Sequence, residues 1–138
     1  MKNIDAYFKD YEAYHRTSAN KITHLYGISL IIISLFGLLH RWHPAAAIVL
    51  FVVGNAFYLK LDLRLGLSMV VSTAVFYAIG TLLNNEVLWA FFILGWVLQG
   101  VGHYVFEKKS PAFTKNLVHI LVGPAYLQNY YFKIYRVR

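Results

Sequence analysis

The sequence predicts an all-α integral membrane bundle of about four transmembrane helices. An N-terminal amphipathic helix precedes them, and a short C-terminal re-entrant or interfacial helix follows. Three observations carry this. Of the 138 residues, 59% are hydrophobic, and the mean hydropathy is +0.51. Only 14% are charged, against about 25% in an ordinary soluble domain. The apolar residues also come in blocks rather than stripes.

Those blocks are 22–39, 45–59, 65–83 and 87–106. Each lies near the ~17–25 residues a helix needs to cross the hydrocarbon of a bilayer. The second is short and needs thinning or polar flanks. Before them, residues 1–20 read as one amphipathic helix, with Ile4, Tyr7, Tyr11, Tyr14 and His15 on one face at three- and four-residue spacing. It either lies on the membrane surface or covers a site. No cleavable leader is expected, because this segment has no apolar h-region. The first loop, 40–44, places Trp42 as an interface anchor and Pro44 in the first turn of the next helix. Asn84, Asn85 and Glu86 form a tight polar turn.

After the fourth block, Ser110 caps and Pro111 opens a helix of about 12 residues, which Gly123-Pro124 ends. It is too short to span and is apolar at Phe113, Leu117, Ile120 and Leu121. The tail 126–138, with five aromatic residues among Lys133, Arg136 and Arg138, reads as a basic surface anchor. No repeat or linker interrupts the chain, so residues 1–138 are expected to form one domain.

The thirteen basic residues set the orientation. All but Arg41 flank the spans on the side that carries both termini, a strong positive-inside pattern. Both termini are therefore expected in the cytoplasm, with the protein in a bacterial inner membrane or the endoplasmic reticulum. The net charge of +7 reads as contact with anionic membrane lipids. Nucleic acid is not an expected partner, because the basic residues flank spans rather than line a groove. Oligomeric state is not legible.

Six histidines divide by the same topology. His15, His24, His103 and His119 fall on the cytoplasmic side, and His40 and His43 flank Trp42 on the other, where an interfacial role is expected. Four imidazoles at one end of a bundle point to a metal centre. There are no cysteines, so thiolate ligands and disulfides are excluded. An imidazole set with one carboxylate suits Fe, Zn, Cu or Ni rather than Ca or Mg. Asn20 lies one turn before His24 and could orient its ring. Gln99, His103 and Glu107 follow at four-residue steps, with Trp96 close to the same line. Glu107 is the candidate catalytic carboxylate. Asn20, Trp96, Gln99 and Tyr104 are the expected substrate contacts, with Phe91 and Phe92 adding apolar surface. Gly95, Gly100 and Gly102 thin the fourth helix for close approach of a neighbour. Arg16, Lys21, Lys108 and Lys109 could attract a carboxylate but read first as topological charge. No nucleophile elbow or Gly-rich phosphate loop is present.

Two segments carry a resemblance. The first is Tyr14-His15, Asn20 and His24 with Gly27 behind it. The second runs from Trp96 through Gln99 and His103 to Glu107, followed by Pro111-Ala112 and Gly123-Pro124. In these the chain resembles a fungal and bacterial membrane family that includes the 2-hydroxy-fatty-acid dioxygenase of phytosphingosine breakdown. The resemblance implies an Fe(II)-dependent enzyme that uses O2 to shorten a 2-hydroxy fatty acid by one carbon. It implies His15, His24 and His103 as iron ligands and extends to Glu107. His119 is a fourth metal candidate on topology alone. The tail departs from the family near Tyr130. Two other readings stay open on the residues: a zinc-dependent lipid hydrolase with Glu107 as general base, and a non-enzymatic membrane lipid-binding protein.

Overall fold

The computed structural model describes residues 3–111 and 117–138. Its described residues are mostly helical, with short connections and a non-helical tail after Phe132. Helix α1 spans Ile4–Glu12, α2 Ser18–Trp42, α3 Pro44–Leu61, α4 Leu63–Leu82 and α5 Asn85–Gly100. A π-helical segment, Val101–Glu107, continues α5, and α6 spans His119–Phe132. Four helical stretches are long and apolar enough to cross a membrane: Ser18–Trp42, Pro44–Leu61, Leu63–Leu82 and Asn85–Glu107. Their outer faces leave Val53, Val71, Leu82 and Ile93 more than half exposed. That suits hydrocarbon, where every backbone polar group must pair within its own helix.

Side-chain caps set the boundaries. Asn3, Thr17, Asp62 and Asn84 accept the backbone N–H of Ala6, Asn20, Leu65 and Val87. Each satisfies a donor that the first helical turn leaves without an intrahelical partner. Two of the connections are single extended residues. His43 closes α2 and caps α3, and Asp62 closes α3 and caps α4. Pro44 follows at the first helical position, where its missing N–H costs nothing.

The expected helix over 1–20 is broken in two. Residues 1–2 lie outside the described residues, and α1 ends at Glu12. Tyr14 and His15 donate their N–H groups three residues back, to Tyr11 and Glu12, tightening the last turn. Thr17 then starts a new helix. The break turns α1 away from α2 and lays it against α6, with Ile4, Tyr7, Phe8 and Tyr11 buried.

The expected short helix is also corrected. Its first turns, with Phe113 and Asn116, lie outside the described residues. Its end does not fall at Gly123-Pro124, because α6 runs through Pro124 to Phe132. A proline inside a helix removes a donor and crowds the preceding turn. Here the Tyr58 hydroxyl donates to the Leu121 carbonyl in that turn at 2.8 Å. Gly123 serves packing rather than termination: a Cβ there would stand 3.0 Å from the Tyr11 hydroxyl. The tail is correspondingly not a plain surface segment. Tyr126, Leu127 and Asn129 are buried, and Asn129 accepts the Tyr135 N–H at 2.6 Å while donating to the Tyr135 carbonyl at 2.9 Å. The Tyr135 hydroxyl reaches Asp5 at 3.2 Å, tying the tail to α1.

The core gathers at this end of the bundle, where Phe8, Tyr11, Leu65, Met69, Tyr126 and Leu127 pack together. Helices α2 and α5 share the most extensive contact. A Cβ on Gly27 would lie 2.8 Å from the Gly95 carbonyl, and one on Gly95 would lie 2.7 Å from the Gly27 carbonyl. This mutual small-residue contact lets two backbones approach. Of the three glycines expected to do so, Gly95 and Gly102 do, and Gly100 faces open space.

Candidate metal centre

The α2–α5 contact fixes what lies one to two turns beyond it. Moving from Gly27 toward the start of α2 reaches His24, and moving from Gly95 into the π-segment reaches His103. Gly102 lets the chains stay close here, since a side chain on it would run into Asn20 and Thr23. The π-segment is a wide turn of a kind that often marks functional sites. It closes at Lys108 in the left-handed conformation, with φ of 56°, and the Lys109 N–H returns to the His103 carbonyl at 3.0 Å. His15 enters from the break between α1 and α2. All three imidazoles are buried, none more than 2% exposed.

Their Nε2 atoms converge. His103 Nε2 lies 2.9 Å from His24 Nε2 and 3.1 Å from His15 Nε2. The rings stand nearly perpendicular, with centroids 4.5 to 4.7 Å apart. The outer nitrogens of two rings are held from behind. His15 Nδ1 lies 2.8 Å from the Tyr11 carbonyl, and His24 Nδ1 lies 2.9 Å from the Asn20 carbonyl. A carbonyl only accepts, so both Nδ1 atoms carry the proton and both Nε2 atoms present lone pairs. Burial, followed by the neighbouring His24 imidazole, pushes His15 down to about 2, so it is neutral at physiological pH. Tyr11 also stacks on His15, with centroids 3.7 Å apart and planes within 6°.

This arrangement fits a metal ion. Two lone pairs face His103 Nε2, and a proton there can serve only one of them. A cation among the three serves all. The 2.9 and 3.1 Å separations also match nitrogens sharing one ion, since bonds of about 2.0–2.1 Å place neighbouring ligands roughly 3 Å apart. His15, His24 and His103 are the group of metal-type side chains that could hold an ion among the described residues.

The other expected residues divide. His119 is buried and borders the same cavity, with its ring 6.0 Å from Tyr11 and 6.3 Å from Tyr14, but it lies outside the group of three. Glu107 also lies outside it, and its Oε1 accepts the Thr17 N–H at 2.6 Å. A carboxylate at the start of α2 suits the positive end of the helix dipole and holds the loop carrying His15 to the π-segment carrying His103. Asn20 is fully buried, but it is its main-chain carbonyl, not its side chain, that orients His24. Its Nδ2 donates to Tyr14 at 3.4 Å. Trp96 and Gln99 border the cavity. Tyr104 does not. It is 62% exposed, because a residue adjacent to His103 on a helical segment cannot share its face. Phe91 and Phe92 also lie off the cavity, and Phe92 packs against Trp89 and Trp96. Lys21 is 7% exposed, 4.3 Å from the Tyr130 ring and 3.9 Å from Glu12, so it fastens α2 to its neighbours. On the opposite end, His40 Nδ1 meets the Tyr77 hydroxyl at 2.7 Å and His43 caps α3.

The cavity below the histidines has a volume of about 180 Å³ and is mainly apolar. Sequence reasoning missed its α3 wall, including Asn55, which donates to Thr73 Oγ1 at 2.9 Å. A polar residue midway along an otherwise apolar span was the available signal.

Fold and site together define a class: an all-helical protein with four membrane-length apolar helices and a buried three-imidazole group able to hold a metal ion. The chain matches the family model of 2-hydroxy-palmitic acid dioxygenase Mpo1-like proteins over residues 1–60 and 64–133, and it belongs to that family. It is 34% identical over 126 residues to the 2-hydroxy-palmitic acid dioxygenase MPO1 of Saccharomyces cerevisiae, covering 84% of this chain and 71% of the relative. No solved structure matches it.

Proposed function

We propose that this protein is an Fe(II)-dependent dioxygenase that oxidises 2-hydroxy fatty acids to the acid one carbon shorter. The observation that carries this is the convergence of His15, His24 and His103 Nε2 at the head of an apolar cavity. Family membership and the yeast relative supply the reaction class. Iron, when bound, would supply Lewis-acid polarisation of the substrate and a site for O2.

The chain's own residues do the rest. The Tyr11 and Asn20 carbonyls fix the tautomers that aim two lone pairs inward. The Glu107–Thr17 bond keeps the His15 loop beside the π-segment. The apolar wall takes the acyl chain and excludes water from the reacting end. Trp96 and Gln99 border the cavity where the head of the substrate would lie. His119, which borders the same cavity, would contact that head or join the ligand set. The distribution of basic residues supports a cytoplasmic location for both termini and for the metal centre.

The test is oxygen uptake with 2-hydroxypalmitate by protein purified anaerobically in detergent. Uptake that follows iron loading and yields the fatty acid one carbon shorter supports the proposal. Turnover without oxygen, with zinc bound, refutes it in favour of the hydrolase reading.

A further inference from the structure

The cavity continues well past the histidines. Helix α2 lines it with His24, Ile28, Ile32 and Phe36, each one helical turn from the next. At a rise of about 1.5 Å per residue, His24 and Phe36 lie about 18 Å apart along the helix. Helix α3 forms the facing wall with Leu50, Gly54 and Tyr58 in one row and Phe51 and Asn55 beside it. Tyr58 stands near α6, at the histidine end, through its bond to Leu121. Phe51 stands at the far end. There its ring lies 6.2 Å from that of Phe36, and Tyr77 closes the group at 5.1 and 6.3 Å from the two.

Gly54 stands out on this wall. It occupies the centre of the lining row, so its missing side chain would point into the cavity. A Cβ built there meets no atom within 4 Å. The packing glycines differ, since a Cβ on Gly27 or Gly95 would strike the facing backbone. Gly54 is therefore not needed for helix contact. Its effect is to leave the middle of the cavity open.

We infer that this cavity measures acyl-chain length. Gly54 keeps the wall clear for the middle of an unbranched chain, and the Phe36–Phe51 pair stops its tip. The ligand class is the straight-chain 2-hydroxy acids, with the head group at the histidines. The inference rests on the proposed reading of the histidine site.

The test uses Gly54→Leu and Phe51→Ala in the full-length, iron-loaded protein. Two readouts are taken over straight-chain acids from ten to twenty carbons. One is kcat/KM for oxygen uptake with the 2-hydroxy acids. The other is displacement of a fluorescent fatty acid by the corresponding acids without the hydroxyl. Gly54→Leu is expected to lower kcat/KM for the longest acids roughly tenfold or more and to spare the shortest. Phe51→Ala is expected to shift the optimum to longer chains. Length profiles unchanged in both folded variants, or depressed equally at every length, overturn the inference. A displacement profile that shifts while no variant or wild-type protein consumes oxygen supports the length reading and refutes the dioxygenase reading.

Discussion

His24 Nε2 lies 2.9 Å from His103 Nε2, although 79 positions separate the two residues. The contact is made possible by the glycines that bring α2 and α5 together. It places side chains from two different helices at one point, with His15 Nε2 3.1 Å from that of His103. Replacing any one of the three by Ala is expected to abolish stable metal retention and turnover. Metal content after gel filtration checks this. His119→Ala distinguishes its two roles: retained metal with impaired turnover assigns it to substrate, and lost metal assigns it to the ligand set.

Glu107 ties the loop that carries His15 to the π-segment that carries His103. Its carboxylate holds the Thr17 N–H at 2.6 Å. Glu107→Gln keeps an acceptor oxygen and is expected to retain metal. Glu107→Ala frees the His15 loop and is expected to weaken metal binding about 10–100-fold, the range seen when groups behind metal ligands are removed. Competition with a chelator measures it.

Close approach of α2 and α5 predicts a sharp difference between glycines. Gly27→Leu overpacks against the Gly95 carbonyl and Leu98 and is expected to cost about 1–3 kcal/mol. Gly100→Ala meets no atom within 4 Å and is expected to leave stability unchanged or slightly raised. Thermal unfolding in detergent compares them.

Midway along the bundle, Asn55 donates to Thr73 while the Thr73 hydroxyl donates to the Met69 carbonyl at 2.7 Å. Thr73→Val removes one of the two acceptors of a buried amide, the other being the Phe51 carbonyl at 2.9 Å. The expected cost is about 0.6–1.7 kcal/mol, typical of polar contacts between membrane helices. Reversible unfolding in detergent reads it.

Alkaline pH is expected to loosen the packing of α1 on α6. Burial, followed by the nearby Glu12, raises the Tyr126 phenol above its ordinary value, and burial, followed by Tyr126, raises Tyr11. Both are acids whose folded pKa lies above the unfolded value of about 10. Below that value both states keep the proton and stability is full. Above it the unfolded chain releases protons that the folded protein retains, so stability falls as pH rises past about 10. Tyr126→Phe should flatten the decline in a plot of Tm against pH.

Much of this was legible in residue pattern alone. Block hydropathy located four spans to within a few residues, because membrane helices are long and nearly free of charge. The pairing of His15, His24 and His103 followed from topology together with family likeness. The errors came where one side chain redirects the backbone. Thr17 and the His15 turn split the N-terminal segment, and α6 runs on through Pro124. Tyr104 follows His103 by one position, so helical phase turns it away from the cavity. Asn20 was identified at the right position, but its main chain makes the contact. The α3 wall was missed because its lining residues look like any apolar span apart from Asn55.

His15, His24 and His103 are proposed to hold one iron ion at the head of the acyl cavity. Metal analysis with X-ray absorption on anaerobically purified protein tests it most directly. The account predicts about one iron per chain, with three imidazole nitrogens at roughly 2.0–2.2 Å. Folded, active protein that holds no iron, or a His24→Ala or His103→Ala variant with full activity on 2-hydroxypalmitate, would contradict it.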